Sequence, residues 1–209
     1  VIKTLIEAII LVILVVYVFL QSFRSTFIPA VSIIVSLIGT FAFLAVAGFS
    51  LNMLTLFALV LVIGTVVDDA IVVVEAVQAK FDEGYKSPYL ATIDAMGNIT
   101  SALVTTTFVF MAVFIPVSFM GGTTGTFYTQ FGLTMAVAVG ISLLNAMTLS
   151  PALCALIMTP HADTGNGGKM SFSSRFHVAF DTAFHRVVMK YKSGVFFMLK
   201  RKWLAVVLL

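Results

Sequence analysis

Gly64-Thr65-Val66-Val67-Asp68-Asp69-Ala70-Ile71-Val72-Val73-Val74-Glu75 sets two carboxylates side by side inside an apolar run, 51–79. A helix needs about 20 mainly apolar residues to cross a hydrocarbon core of roughly 30 Å, and this run is longer. Measured between Asn52 and Lys80, its midpoint falls near Val66, which brings Asp68 and Asp69 close to the bilayer centre. One Asp at that depth costs about 2.5 to 3.5 kcal/mol to insert, and adjacent carboxylates also repel. Such a pair survives by facing a protein interior, by keeping a proton, or by meeting a buried cation. No Lys or Arg lies inside any complete span, so a countercharge has to come from further sequence or from another subunit. A carboxylate whose charged form depends on a movable cation binds and releases protons as that cation moves. A proton relay needs that property.

Residues one apart sit about 100° apart on a helix, so the two acids address different neighbours. Thr65, three and four positions earlier, is expected to offer a hydroxyl, and Gly64 is expected to admit another helix at close range. Glu75 lies seven after Asp68, on nearly the same face. A static hydrogen-bonded pair that locks helix packing is the alternative role for the two acids.

Outward from this segment the same composition continues. Of 209 residues, 60% are hydrophobic and 10% charged, against roughly 25% charged in soluble chains; mean hydropathy is +1.12. Apolar runs at 5–23, 27–47, 51–79, 99–120 and 127–158 qualify as spans, and a sixth begins near Trp203. The expectation is an all-α, polytopic transmembrane bundle: spans within 1–158, a cytoplasmic linker at 159–171, an amphipathic interfacial helix at 172–199 and the start of another span at 200–209. Pro29, Gly48, Gly84, Pro88 and Gly121-Gly122 mark the joints. The net charge is +3. Every basic residue except Lys3 falls in the segments 21–26, 80–98 and 159–202, which the positive-inside rule assigns to the cytoplasm. Lys3 and Glu7 then start on the external side. No basic surface is arrayed for nucleic acid. The single cysteine, Cys154, sits in an apolar run as a packing residue and excludes an intrachain disulfide.

Four colinear blocks resemble the resistance-nodulation-division efflux pumps, in their hydrophobe/amphiphile multidrug branch. The 64–75 segment resembles the family's fourth transmembrane helix. Val1 to Arg24, with Glu7 ahead of Ala8-Ile9-Ile10-Leu11-Val12, looks like its second span. Phe119-Met120-Gly121-Gly122-Thr123-Thr124-Gly125 matches an external loop, and Leu149-Ser150-Pro151-Ala152-Leu153-Cys154-Ala155 matches the end of span six. The resemblance implies a proton-coupled exporter of amphiphilic drugs in the bacterial inner membrane, with Asp68 and Asp69 as proton-translocating carboxylates facing a lysine of the second half. It implies a homotrimer joined to a periplasmic adaptor and an outer-membrane channel, with substrate handled by periplasmic domains outside this sequence. No cofactor and no enzymatic activity are implied. Thr65, Ala76 and Gln78 depart from the family pattern, where an aliphatic residue, Asn and Glu are more usual. On this reading the chain, which starts at Val1 without Met and stops inside an apolar run, is a piece of the N-terminal transmembrane half.

Other functions would make different demands on these residues. A superfamily transporter of metal ions or lipids shares the acid helix and differs in its periplasmic sequence. An intramembrane aspartyl protease needs its aspartates on separate helices, whereas these are adjacent, and a non-transporting scaffold predicts that Asp68→Asn is silent. Ser32, Ser36 and Thr40 form a small-residue stripe suited to close packing. Thr105, Thr106, Thr107 and Asn145 are expected either to reach the acid pair, Asn145 above all, or to satisfy backbone carbonyls. Pro116 and Pro151 are expected to kink or end helices. His177, Asp181 and His185 recur every fourth residue, but their stripe is about 12 Å long, too long for one metal ion. Phe172, Phe176, Phe180 and Phe184 provide the apolar side of the interfacial helix.

Overall fold

The computed structural model describes residues 2–49, 51–122, 124–160 and 188–193. They are helical throughout their ordered elements: α1 Ile2–Leu20, α2 Phe23–Val46, α3 Met53–Asp82, α4 Pro88–Val117, α5 Gly125–Met147 and α6 Leu149–Ile157. Five helical stretches are long and apolar enough to cross a membrane, α5 and α6 together forming the fifth. The all-α bundle expected from the sequence is therefore found, and the chain is a multi-pass membrane protein.

Each joint has a local cause. Asn52 caps α3: its Oδ1 accepts from the Leu54 and Thr55 amides at 2.9 Å, and Thr55 Oγ1 accepts the Asn52 amide at 3.0 Å. That reciprocal box satisfies donors that the first turn leaves open. The Asn52 amide group also donates to Gln130 Oε1 of α5, which ties the ends of α3 and α5. The α3–α4 turn passes through Gly84 at φ +103°, a left-handed value that glycine adopts without Cβ strain. Lys80 then bonds both Glu83 and Asp94 at 2.8 Å. Tyr85 donates its hydroxyl to the same Asp94 oxygen at 3.2 Å, and this bond to a carboxylate raises the Tyr85 phenol above its ordinary pKa.

Several boundaries differ from the sequence expectation. Pro29 lies inside α2 and does not mark its start; the helix begins six residues earlier, behind the Ser22 cap. α4 begins at Pro88, eleven residues before the expected span, because Pro is well suited to a first helical position and the polar first turns extend beyond the apolar core. Pro116 does stand at the end of α4. The fifth span is two helices, broken at Thr148 (φ −120°, ψ −64°). Pro151 explains the break: it lacks the N–H that would meet the Met147 carbonyl, and its ring crowds that carbonyl. Gly125, in the block matched to an external loop, is buried, with a virtual Cβ only 2.6 Å from the Met120 carbonyl oxygen.

α3 occupies the middle of the unit formed by residues 1–162 and touches every other described helix of it. Its outer half packs Leu59, Val62, Ile63 and Val66 against Leu5, Ile33, Leu37, Met135 and Val139. Its other half packs Val73, Val74, Val77 and Phe81 against Ala91, Ala95, Leu103 and Cys154. Cys154 is fully buried, as a packing residue would be. In the second unit, residues 188–193 are helical with all side chains exposed. The remainder of the expected linker and interfacial helix, the His177/Asp181/His185 stripe, Phe172 to Phe184 and the span starting near Trp203 lie outside the described residues.

Candidate functional site

Val67 and Asp68 are the fifteenth and sixteenth of the thirty residues of α3, so the acid pair is central in the helix. The two carboxylates diverge. Asp68 is exposed on the surface of the described bundle, whereas Asp69 is half-buried and turned toward α5. There Ser142 donates its hydroxyl to Asp69 Oδ2 at 2.6 Å. Ser142 is buried and stands eighteenth along α5, while Asp69 is seventeenth along α3. Both helices start at the same side of the bundle, so the two groups meet at matching depth.

A cavity of about 230 Å³ opens beside the pair. Thr65, Asp68, Asp69 and Val72 form its α3 wall, Ala102, Leu103, Thr106, Thr107 and Phe110 its α4 wall, and Val139 of α5 closes it. Among the described residues no lysine or arginine lines it. The arrangement can therefore hold one carboxylate by a hydroxyl donor while presenting the other to an open, largely apolar face.

With this geometry in hand, comparison with known proteins is decisive about kinship. The AcrB/AcrD/AcrF family pattern matches residues 1–209. The chain belongs to the AcrB/AcrD/AcrF family. It is 48% identical over 181 residues to the multidrug export protein AcrF of Escherichia coli, covering 87% of this chain and 18% of that protein. It is 48% identical over 179 residues to the multidrug resistance protein MdtF of the same species, covering 86% of this chain and 17% of that protein. To the toluene efflux pump membrane transporter TtgB of Pseudomonas putida it is 46% identical over 206 residues, 97% of this chain and 19% of the relative. The chain thus spans about a fifth of the length of these curated relatives.

The remaining residues singled out in this AcrB/AcrD/AcrF-family chain divide sharply. Thr65 lines the cavity, yet its hydroxyl donates to the Val62 carbonyl at 2.9 Å and not to an acid, because that carbonyl lies within a helical turn. The close approach expected at Gly64 is not made by any described residue: a Cβ there would meet nothing within 4 Å. Asn145 does not reach the acids; it donates to Ser36 Oγ of α2 at 2.7 Å. Thr105 and Thr106 return their hydroxyls to the Ser101 and Ala102 carbonyls at 2.7 and 3.0 Å. Glu75 is exposed and outside the cavity lining. Glu7 is exposed near the start of α1, 3.9 Å from Lys3.

Ser142 is the residue that sequence reasoning missed. The signal was available: it lies three residues before Asn145 on one helical face and at the depth of the acid pair. A lone serine in an apolar span nevertheless attracts no attention, because a serine hydroxyl commonly satisfies itself on its own backbone.

Proposed function

We propose that this chain is the proton-relay portion of an inner-membrane exporter that expels amphiphilic drugs and solvents in exchange for protons. Asp68 and Asp69 act as the relay pair. The reading rests on one observation above all: two adjacent carboxylates in the middle of a central helix, one held by Ser142 and the other open to a cavity lined by no basic residue among the described ones. The printed functions of the relatives, multidrug export, multidrug resistance and toluene efflux, support the substrate class.

The chemistry follows from the bonds. An ionised Asp69 accepts the Ser142 hydroxyl in a charge-assisted bond, stronger than one to a neutral acid. Protonation weakens that bond and gives the carboxyl a proton of its own to donate. Each protonation therefore changes how firmly α3 holds α5. At Asp68, loss of charge releases a cation supplied from beyond this chain. One charge crossing 100 mV supplies about 2.3 kcal/mol, comparable with the differences between helix arrangements that such bonds can set. The full-length protein would capture substrate outside this chain, as a trimer with an adaptor and an outer-membrane channel.

The test is drug accumulation in pump-deficient Gram-negative cells that express the full-length protein with its partners. The parent should lower accumulation in a protonophore-sensitive way, and Asp68→Asn or Asp69→Asn should abolish this at matched membrane levels. Full export by either variant would remove that residue from the relay, and export insensitive to a protonophore would remove the proton.

A further inference from the structure

A second cavity, of about 300 Å³, lies at the end of the bundle where α2 begins and α6 ends. Ser22, Arg24 and Ser25 line it from α2, Gln78 from α3, and Met158, Thr159 and Pro160 from the stretch after α6. Its walls are mainly polar, unlike those beside the acid pair. By the distribution of basic residues this is the cytoplasmic side, at headgroup depth.

Three kinds of donor converge here. Arg24 reaches across and donates from Nη1 to Thr159 Oγ1 at 3.0 Å, which positions the guanidinium while leaving most of its five N–H donors unused. Ser22 caps the 24-residue helix α2, whose first turn brings open amide donors and the positive end of the helix dipole. Ser25 is only 5% exposed and lines the cavity, yet no described residue bonds its hydroxyl. The Ser25 oxygen is not shut away from solvent, since no described side-chain polar atom is both buried and unpartnered; it faces the same space as the guanidinium, which is large enough for a ligand. Among the described residues no Asp or Glu lines the cavity to compete for the guanidinium. Phe23 and Phe27, one turn apart on the same helix and 76% and 45% exposed, offer apolar surface next to the charged mouth.

We propose that this cavity is an oxyanion site that takes a singly charged phosphate group, carried by a phospholipid headgroup or by free phosphate. Guanidinium and hydroxyl donors match the oxygens of a phosphate, and basic pockets between spans on the cytoplasmic side suit acidic headgroups. The adjacent phenylalanines suit the acyl chains of the lipid form.

The purified, delipidated full-length protein is titrated by native mass spectrometry with phosphatidylglycerol, with diacylglycerol as the phosphate-free control, and with inorganic phosphate. Phosphatidylglycerol should bind the parent more tightly than diacylglycerol. Arg24→Gln should weaken the tightest phosphatidylglycerol by about tenfold, Ser25→Ala by about threefold, and neither should alter diacylglycerol. If inorganic phosphate alone shows the Arg24-dependent binding, the source is soluble phosphate; if phosphatidylglycerol alone shows it, the source is lipid. Equal binding of both probes to parent and Arg24→Gln overturns the site. Should Arg24→Gln not fold, Arg24→Lys and Ser25→Ala carry the same test, and unchanged affinity in both overturns it.

Discussion

Two sets of hydroxyl residues at helical spacing are used differently. On α2, Ser32 meets Ser150 of α6 at 3.0 Å and Ser36 accepts from Asn145 of α5, while Thr40 of the same stripe returns its hydroxyl to the Ser36 carbonyl at 2.8 Å. On α4, Thr100, Thr105 and Thr106 all turn back to carbonyls of their own helix. The spanning window of α2 is 44% buried and that of α4 only 11%. A hydroxyl with a polar neighbour within reach joins helices, while one without, on an open face or buried among apolar groups like Thr40, satisfies itself one turn back. What packs on the face decides the role, so the residue type alone does not.

The comparison can be broken most severely where α5 packs closest on the end of α4, beside the Thr129 hydroxyl that donates to the Ser118 carbonyl at 2.8 Å. A Cβ on Gly132 of α5 would stand 2.6 Å from Ser118 Oγ and 2.8 Å from the Phe114 carbonyl oxygen. Gly132→Val should therefore destabilise the full-length protein by about 1 to 3 kcal/mol through overpacking, read as the largest fall in thermal unfolding temperature in detergent. Asn145→Leu removes a bridge of the α2 type. It should cost about 0.6 to 1.7 kcal/mol, the range for hydrogen bonds between membrane helices, and Ser36→Ala added to it should cost little more. The smallest effect belongs to α4: Thr105→Val removes only a back-bond on an exposed face and should leave unfolding within about 0.5 kcal/mol of the parent. A large loss there would mean that the face is covered in the full-length protein, which would sharpen the contrast into one between two kinds of interface.

The spans were legible because a membrane demands long apolar runs, and the acid pair was legible because charge is costly at that depth. Boundaries were less so. The first turns of α4 are polar and helical at once, so hydropathy stops at the edge of the apolar core while hydrogen bonding continues. The break at Thr148 is caused by a proline three residues further on, and either a kink or an end satisfies the same pattern. At the site, Asp68 and Asp69 announced themselves, while the partners Thr65, Gly64 and Asn145 were assigned by spacing along single helices. Contacts between helices depend on depth and rotation together, and only a depth count along α3 and α5 would have pointed to Ser142.

The interruption between α5 and α6 has a mechanical consequence. Asn145 lies just before Thr148 and Ser150 just after it, and both are fastened to α2, at Ser36 and Ser32. The unbroken helix thus works as a splint across a fracture. Bending at Thr148 has to stretch one fastening or drag α2 along, so the weakest point in the backbone of the fifth span becomes one of its better supported places. Asp69 is attached through Ser142, one turn above the upper fastening. Under the proposed relay, a change of charge at the acid would therefore pull on a braced rod, its motion shared by three helices instead of dissipating at the joint.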